Sequence, residues 1–472
     1  MIVGLALVGC GDDSSGQTTA AGSSSSSTGP GEGSTGDPGT TTTDPGTTTT
    51  GQDTTADEST GPGVACGNGK VDDDEQCDDE NTDNDDECYS DCTLPYEEQW
   101  AVTFDEGDDD FARDAVLDAD GNLYVIGASQ IEGEGYDLWV RQYTPEGRDG
   151  WTWFYPGAPG QDAFGRSIAW TADGDLMLAG TETTDTGDDV LVIRLQTSDQ
   201  TIVWSDIYDG PGSGAGDDDD DFGNDVAVDV NGDVLVSATH RVDDQQWDLW
   251  LRKYDADGNE LWTHTSDAVG GNDFADAVVT DSNGDIYLAA SVDTSVMPTV
   301  SEGWVRKLDT DGNELWTETL PGVLLNGATV DAMDNLVLVG WDDQSGTAPD
   351  LWIGRYDADF TELDAAADDY AGLADFVSGV AVGASGDVYV AGSVAITGQV
   401  DEIWAGRYAA DLGQRWWNML YGNKESNLSD VGNAIVVNDD ESRVVVLGYE
   451  SVIGQDRNVW IRSLRNYPTP GS

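Results

Sequence analysis

A pattern of alternating apolar and polar residues repeats through the last three quarters of the chain. One copy, from Trp250 to Trp262, reads WLRKYDADGNELW. The alternation in its first five residues predicts a β-strand, and Asp257-Gly258-Asn259 predicts a tight turn that tolerates positive φ. The Leu-Trp pair that follows opens a returning strand. We therefore expect this stretch to form one β-hairpin.

Seven copies of the first strand of this hairpin align with one another. They begin at Trp139, Leu191, Trp250, Trp304, Trp352, Trp404 and Trp460. Two further short apolar strands precede each copy, around turns expected at Gly121, Gly174, Gly232, Gly284, Asp334, Gly386 and Ser442, which are spaced 50 to 58 residues apart. Four strands per period, without a helical pattern, predict an all-β fold: a seven-bladed β-propeller of four-stranded blades over residues 96–467.

The last blade is expected to be completed from the N-terminal side. Counting from the aligned strands, the returning strand carries a Trp in five copies, at Trp151, Trp204, Trp262, Trp316 and Trp416. The seventh copy has no returning strand, whereas an unassigned strand containing Trp100, from Glu97 to Phe104, precedes the first copy. We predict that this strand closes the ring, so that no long sheet edge stays open.

The segment before the propeller divides into three parts. Residues 1–10, MIVGLALVGC, end in a stretch that resembles a bacterial lipobox, although the basic start and long apolar run of a signal peptide are missing. The resemblance implies lipidation of Cys10 and an outer-membrane lipoprotein, on the cell surface or the periplasmic face, held by its lipid alone; the alternative is a truncated ordinary signal or a chance match. Residues 11–65 are rich in Ser, Thr, Gly and Pro and predict a disordered tether.

Residues 66–95 open with CGNG and contain CDDEN and CYSDC. This pattern resembles the cysteine-rich repeat of myxobacterial surface proteins. In an exported chain, Cys66, Cys77, Cys88 and Cys92 imply two disulfides, with three connectivities open. The propeller itself resembles bacterial seven-bladed β-propeller repeat proteins of the PQQ-like kind, which implies a fold but no activity, because propellers serve many functions. Residues 468–472 form a short tail.

The net charge of the chain limits the classes of molecule that can bind it. The chain has 93 Asp and Glu residues against 19 Lys and Arg, a net charge of −74 at pH 7. Nucleic acid and anionic lipid would be repelled, whereas cations would be attracted. One Arg recurs in each aligned strand, and we expect these residues to be structural, stacked on rings or paired with Asp between blades: Arg141, Arg194, Arg252, Arg306, Arg355, Arg407 and Arg462.

The topology predicts that tight turns occupy one face of the ring and longer connections the other, here called the looped face. A ligand is expected on the looped face. Five acids precede the innermost strands and are candidate Ca²⁺ ligands at the channel mouth; the alternative is that each forms a turn by binding nearby backbone. They are Asp110, Asp162, Asp221, Asp273 and Asp375.

Four further residues are candidates for ligand binding. Trp341 and Tyr449 replace small residues found in the other copies, so they are either a stacking platform for a sugar or peptide, or packing beneath a loop. His240 and Arg241 lie together in a looped-face connection. No nucleophile motif occurs, and no catalytic residue is assigned. We expect a monomeric, non-enzymatic binding or scaffold lipoprotein for an extracellular protein, peptide or glycan, assisted by Ca²⁺; the alternative is an enzyme acting on polysaccharide or another extracellular substrate through His240 and Arg241.

Overall fold

A computed structural model describes Cys77, Cys88 and residues 92–468, apart from residues 108, 132–134, 156, 186, 211–219, 243–245, 269–270, 297–298, 343–347, 370–372, 397–399, 423–427 and 454–455. The described residues form 28 strands and no helix. The predicted lipobox, the tether and Cys66 lie outside the described residues.

The strands group into seven antiparallel four-stranded sheets. After β1 (Tyr96–Phe104), blade 1 contains β2 (Asp110–Leu117), β3 (Leu123–Ile131), β4 (Gly135–Tyr143) and β5 (Asp149–Tyr155). Blade 2 contains β6 (Ala163–Trp170), β7 (Asp175–Thr183), β8 (Asp188–Gln196) and β9 (Ile202–Tyr208). Blade 3 contains β10 (Asp221–Val228), β11 (Val234–Val242), β12 (Gln246–Tyr254) and β13 (Glu260–Ser266). Blade 4 contains β14 (Asp273–Thr280), β15 (Ile286–Val296), β16 (Thr299–Leu308) and β17 (Glu314–Leu320).

The second half of the ring follows the same order. Blade 5 contains β18 (Val323–Val330), β19 (Leu336–Asp342), β20 (Asp350–Tyr356) and β21 (Glu362–Asp368). Blade 6 contains β22 (Asp375–Val382), β23 (Val388–Ala395), β24 (Asp401–Tyr408) and β25 (Arg415–Tyr421). Blade 7 contains β26 (Val431–Val437), β27 (Arg443–Ser451) and β28 (Arg457–Asn466). The first strand of each blade contacts that of the next, and β26 contacts β2, which confirms the predicted propeller.

Strand β1 closes the ring as predicted. It pairs antiparallel with β28, so that blade 7 reads β26-β27-β28-β1 from the channel outward. Trp100 lies opposite Ser463, and its indole N–H donates to the carbonyl of Pro145 in blade 1 at 3.0 Å. Its ring also stacks 6.2 Å from that of Tyr143. The N-terminal strand therefore joins the last blade to the first.

Two positions found by counting differ by one residue from the structural equivalents in other blades. Trp416 lies in β25 as expected, but Trp417 pairs with Arg407, because the turn between β24 and β25 is one residue longer than those of blades 3 and 4. Ser442 lies in the turn of blade 7 as expected, but the turn residue with positive φ is Glu441 (φ 55°). Both turns lack the Gly that marks this position in most other blades, so the sequence offered no fixed point from which to count.

The cores lie between the blades. Each buried cluster combines strands from two neighbouring blades; for example, Met177 and Val192 of blade 2 pack with Trp250 and Tyr254 of blade 3. Trp250 is completely buried, as are Trp139, Trp404 and Trp460 at the equivalent positions of other blades. Burial of a large aromatic side chain contributes a few kcal/mol of hydrophobic free energy, so the Trp repeat stabilises the ring.

Basic residues of the third strand form two alternating sets, because successive side chains point to opposite sides of a sheet. One set stacks on aromatic rings: the guanidinium of Arg252 lies 4.4 Å from the ring centre of Tyr208 in the preceding blade. The other set pairs with a turn Asp and reaches the following blade: Lys253 Nζ lies 2.8 Å from Asp229 Oδ2 and donates to Thr310 O at 3.0 Å. Arg252 Nη1 also lies 3.3 Å from Asp206 Oδ2 of the preceding blade, so both predicted arrangements, stacking on a ring and pairing with an Asp between blades, occur among the strand arginines.

The N-terminal module contributes one disulfide to the described residues, between Cys77 and Cys88. Cys92 is also disulfide-bonded. Of the three connectivities left open by the sequence, the structure thus selects one that joins the second and third cysteines of the module.

Candidate binding site on the looped face

The tight-turn face satisfies its own polar groups. In blade 1, Asp118 begins the turn, and its Oδ1 accepts hydrogen bonds from the backbone N–H groups of Asp120 at 3.0 Å and Asn122 at 2.8 Å. Asp229, Asp255, Asp281, Asp309, Asp331 and Asp357 make the same kind of turn. These carboxylates are committed to the backbone, as expected for Asx turns, and offer no site for a ligand.

A β-bulge interrupts the innermost strand of every blade at the same place. The extra residue of the bulge lines the central channel, which contains a cavity of about 460 Å³. The seven bulge residues are Arg113, Arg166, Asn224, Asp276, Asn326, Ser378 and Asn433. The sequence analysis did not predict this ring of residues. Six of them lie three residues after the first residue of their strand, and Asn433 lies two residues after it.

Three of the bulge residues tie neighbouring blades together. The side-chain amide of Asn224 donates to Ala275 O at 2.7 Å, and that of Asn326 donates to Val377 O at 2.8 Å. Asn433 of blade 7 donates to the backbone of blade 1 at 2.7 Å. These side chains therefore hold the blades together from within the channel.

Two carboxyl groups share a serine beside the channel. Ser167 Oγ lies 3.0 Å from Asp114 Oδ2 and 2.6 Å from Asp225 Oδ1. Burial, together with repulsion from Asp225, raises the pKa of Asp114 to about 7; burial also raises the pKa of Asp225. The Ser167 hydroxyl has one proton, so it donates a hydrogen bond to only one of the two carboxylates. The other short contact is a hydrogen bond only when that carboxyl group is protonated and donates to Ser167 Oγ. The arrangement therefore favours one proton held on the Asp114–Asp225 pair.

Four arginines surround the looped-face end of the channel in blades 7, 1, 2 and 3. We call Arg113, Arg166, Arg241 and Arg457 the arginine rim. Each guanidinium stacks on an aromatic ring: Arg113 and Arg457 lie 5.0 and 5.1 Å from the ring centre of Phe111, Arg166 lies 5.6 Å from Phe222, and Arg241 lies 5.6 Å from Trp247. The remaining Arg and Lys residues of the described chain lie farther toward the tight-turn face or outer strands.

The rings beneath the arginine rim form two groups of contacting rings. Phe111 stacks 6.1 Å from Tyr136, which lies 4.7 Å from Phe164 of blade 2. Phe222 and Trp247 of blade 3 lie 5.3 Å apart. Tyr136, Phe164, Phe222 and Trp247 are partly exposed. Cationic groups and accessible aromatic faces thus occupy the same sector of a strongly acidic protein.

The predicted ligand-binding residues do not form one cluster. Tyr449 (blade 7) is 5% exposed and packs edge-on against Phe111, 5.5 Å away. Trp341 (blade 5) packs in the same way against Phe376 of blade 6, 5.4 Å away. Each ring thus packs on the following blade, and the two belong to blades that are not adjacent. Tyr449 nevertheless contacts the rim, since the Arg457 guanidinium lies 5.4 Å from its ring centre.

The structure places His240 and Arg241 in different environments. His240 is 1% exposed, and neither ring nitrogen has a hydrogen-bond partner among the described residues. Burial lowers the pKa of His240 to about 4, so the ring is neutral at physiological pH. Arg241 is partly exposed, stacks on Trp247, and places Nη1 3.8 Å from Asp220 Oδ2. Arg241 therefore belongs to the accessible rim, whereas His240 lies within the blade.

Four of the five acids predicted as metal ligands accept hydrogen bonds from backbone N–H groups. Asp110, Asp221 and Asp273 are buried, and they accept from the N–H groups of Glu106 at 2.7 Å, Gly210 at 2.7 Å and Ala268 at 2.6 Å. Asp162 accepts from Tyr136 N at 2.8 Å, and Asp375 is likewise buried. Asp110 and Asp273 bind backbone four and five residues away, as in a local turn, whereas Asp162 binds the backbone of strand β4.

Asp273 differs from the other four acids in its surroundings. Among the described residues, it alone of the five lies in a group of three carboxylates, with Asp248 and Asp267, whose oxygens are all within 4.8 Å of one another. Burial, together with repulsion from Asp267 and Asp248, raises the pKa of Asp273 to about 6. The sequence did not single out Asp248 or Asp267, because acids also occupy these positions in other blades, for example Asp137 and Asp350 for Asp248, and Asp209 and Asp369 for Asp267.

No protein-family model matches this chain, and no curated protein does. Among solved structures, the chain is similar to a protein of unknown function from Dyadobacter fermentans, with 12% identity, a TM-score of 0.47, and coverage of 79% of this chain and 100% of that one. It is also similar to the Dos1 propeller (12% identity, TM-score 0.42, 77% and 95% covered) and to the polysaccharide lyase Uly1 (10% identity, TM-score 0.44, 76% and 90% covered). Identities this low leave the activity of this chain open.

Within the described residues, no helix is long and apolar enough to cross a membrane.

Proposed function

We propose that this protein is a non-enzymatic binding module of the bacterial surface that holds an extracellular, carboxylate-bearing glycan on the arginine rim. The observation that supports the proposal is the position of the rim: in a chain of net charge −74, four arginines and their aromatic partners occupy one sector of the looped face. Lipidation at Cys10 and the tether behind it would hold the propeller at the outer membrane, on the cell surface or the periplasmic face.

The chemistry of the rim fits such a ligand. A guanidinium presents several N–H donors in one plane and binds a carboxylate through two parallel hydrogen bonds. A partly exposed aromatic ring, such as Trp247 or Tyr136, offers an apolar surface against which the C–H face of a sugar ring can pack. A neutral glycan would use only the rings, whereas an acidic glycan would use the rings and the arginines.

The state of His240 supports binding over catalysis. A general base must come within hydrogen-bond distance of the group it deprotonates and must have a pKa near the working pH. His240 is 1% exposed, and burial lowers its pKa to about 4. We therefore do not assign it the role of catalytic base for an extended polysaccharide.

The proposal is tested by the double variant Arg241→Gln/Arg457→Gln. We expect soluble polygalacturonate to bind the wild-type protein in calorimetry and dextran, a neutral glycan, to bind far more weakly. Hydrogen bonds to charged groups contribute about 1.5–3 kcal/mol each, so the double variant should bind polygalacturonate at least about tenfold more weakly.

The matched control is Arg148→Gln/Arg465→Gln. It changes the net charge by the same amount, but Arg148 is exposed in a tight turn and Arg465 lies at the tight-turn end of β28. Equal weakening in the two double variants would show that overall charge, and not the rim, controls binding. Equal affinity of the wild-type protein for polygalacturonate and dextran would contradict the proposal outright.

A further inference from the structure

Three carboxylates meet at the looped-face edge where blade 3 adjoins blade 4. Asp248 lies near the start of β12, Asp267 directly follows β13, and Asp273 is the first residue of β14. One oxygen from each side chain lies within 4.8 Å of the other two. Two blades thus contribute charge of the same sign to one point, which is unfavourable unless a proton or a cation is present.

The buried member of this cluster has an oxygen without a partner. Asp273 is completely buried, and its Oδ2 accepts from Ala268 N at 2.6 Å. Its Oδ1 is also buried and has no hydrogen-bond partner in the described part of the chain. The charges that act on this carboxyl are those of Asp267, Asp248 and Asp293, all negative. A buried carboxylate oxygen without a donor is costly, so this atom favours a positively charged ligand.

The carboxyl pair beside the channel differs from this cluster, although Asp110 Oδ1 is, like Asp273 Oδ1, buried without a hydrogen-bond partner in the described part of the chain. Asp114 accepts from the backbone N–H groups of Ala115 at 2.7 Å and Ile168 at 3.0 Å, and it also contacts Ser167. Asp225 accepts from Val278 N at 2.8 Å. Every oxygen of that pair has a partner within the protein. No described Arg or Lys forms an ion pair with Asp248 or Asp273, so the cluster lacks a comparable arrangement.

We propose that Asp248, Asp267 and Asp273 bind a divalent cation, Ca²⁺ in preference to others, between blades 3 and 4. Calcium takes oxygen ligands in flexible geometry, so three carboxylates from two blades, completed by water, suit it. The ion would link β14 to β12 and the end of β13, and it would stabilise the ring by binding the folded state alone. The site does not depend on the arginine rim, whose ligand is anionic.

The test uses the full chain freed of metal with EDTA and titrated with CaCl₂ at fixed ionic strength. The variant Asp248→Asn/Asp267→Asn should bind one Ca²⁺ fewer per chain than the wild-type protein in calorimetry. The rise in Tm that Ca²⁺ produces in the wild-type protein should fall by at least half in the variant. The control is Asp342→Asn/Asp350→Asn, a pair of facing acids on the looped-face edge of blade 5. It removes the same charge and should keep the wild-type stoichiometry.

A second pair of variants separates metal binding from folding. Asp273→Asn and Asp110→Asn each change a buried carboxylate that accepts a backbone N–H at the start of an innermost strand. Both should lower the Tm of the metal-free protein, but only Asp273→Asn should lose the Ca²⁺-dependent rise. If the cluster variants bind as many ions as the wild-type protein, or if the control pairs lose the same binding, the proposed site is wrong.

Discussion

The two faces of this propeller are built from the same strands, yet they use charge in opposite ways. On the tight-turn face, acids such as Asp118 bind their own turns, and basic residues such as Lys253 are paired with acids and reach the neighbouring blade. On the looped face, Arg241 and Arg457 are partly exposed on aromatic rings and form longer ion pairs, each of 3.8 Å, and Asp273 has a buried oxygen without a partner in the described part of the chain. The close ion pairs of the tight-turn face hold the ring together, whereas the arginine rim and the carboxylate cluster of the looped face are candidate sites.

The largest expected effect comes from deleting β1, because both faces depend on a closed ring. The deletion removes the partner of β28 and the side chains of Trp100, Val102 and Phe104, which pack on the blade 7–blade 1 core. Loss of one buried Trp typically costs about 3–5 kcal/mol, so the whole strand should lower the free energy of unfolding by more than about 5 kcal/mol. Denaturant unfolding measures this loss.

Trp100→Phe is the control for that deletion. It keeps the strand but removes the indole N–H that donates to Pro145 O, so we expect a loss of only about 1–2 kcal/mol. An unchanged unfolding midpoint after deletion of the whole strand would mean that β1 does not hold the ring closed.

A smaller effect is expected from Lys253→Met, which tests the ion pairs on the tight-turn side. The side chains of Lys253 and Asp229 are 2% and 0% exposed and lie 2.8 Å apart. Removing one partner leaves a buried charge uncompensated, which costs about 3–5 kcal/mol. On the looped face, the ion pair of Arg241 with Asp220 is longer, at 3.8 Å, and more exposed, so Arg241→Met should change stability by less than about 1 kcal/mol.

Chemical denaturation of both variants measures this difference directly. A similar loss in the two variants would remove the distinction between the faces. A neutral effect of Lys253→Met would show that the buried ion pair is no better than apolar packing at that position.

The repeated part of the fold was predictable because it leaves a period in the sequence. The Trp strands and the Gly turns gave the blade number and the closing strand, since each must pack or turn in the same way in every blade. The site residues leave no such signal. Asp248 and Asp267 meet Asp273 only because blades 3 and 4 pack side by side, and Arg113 turns into the channel only because a bulge re-aims it. Contacts between blades, and not spacing along the chain, determine these sites.

The channel lies between the two faces, and its carboxyl pair predicts that the stability of the protein depends on pH. Burial and Asp225 raise the pKa of Asp114 to about 7, against about 3.9 for an unfolded Asp. The unfolded chain therefore loses this proton at lower pH than the folded protein. The stabilisation due to this group is complete below about pH 4 and is lost as the pH rises through about 7.

We therefore expect Asp114→Asn to change how the free energy of unfolding depends on pH, and not to shift it by the same amount at every pH. Three pKa units correspond to at most about 4 kcal/mol, and the carboxylate's hydrogen bonds to Ala115 and Ile168 reduce the effect that is observed. Relative to the wild-type protein, the variant should gain stability steadily from pH 4 to pH 7, and the difference should become constant above pH 8. Denaturant unfolding at a series of pH values measures it, with Asp118→Asn in a tight turn as the control for losing one carboxylate. If the difference between Asp114→Asn and the wild-type protein is the same at pH 4.5 and pH 8, Asp114 does not keep its proton in the folded channel.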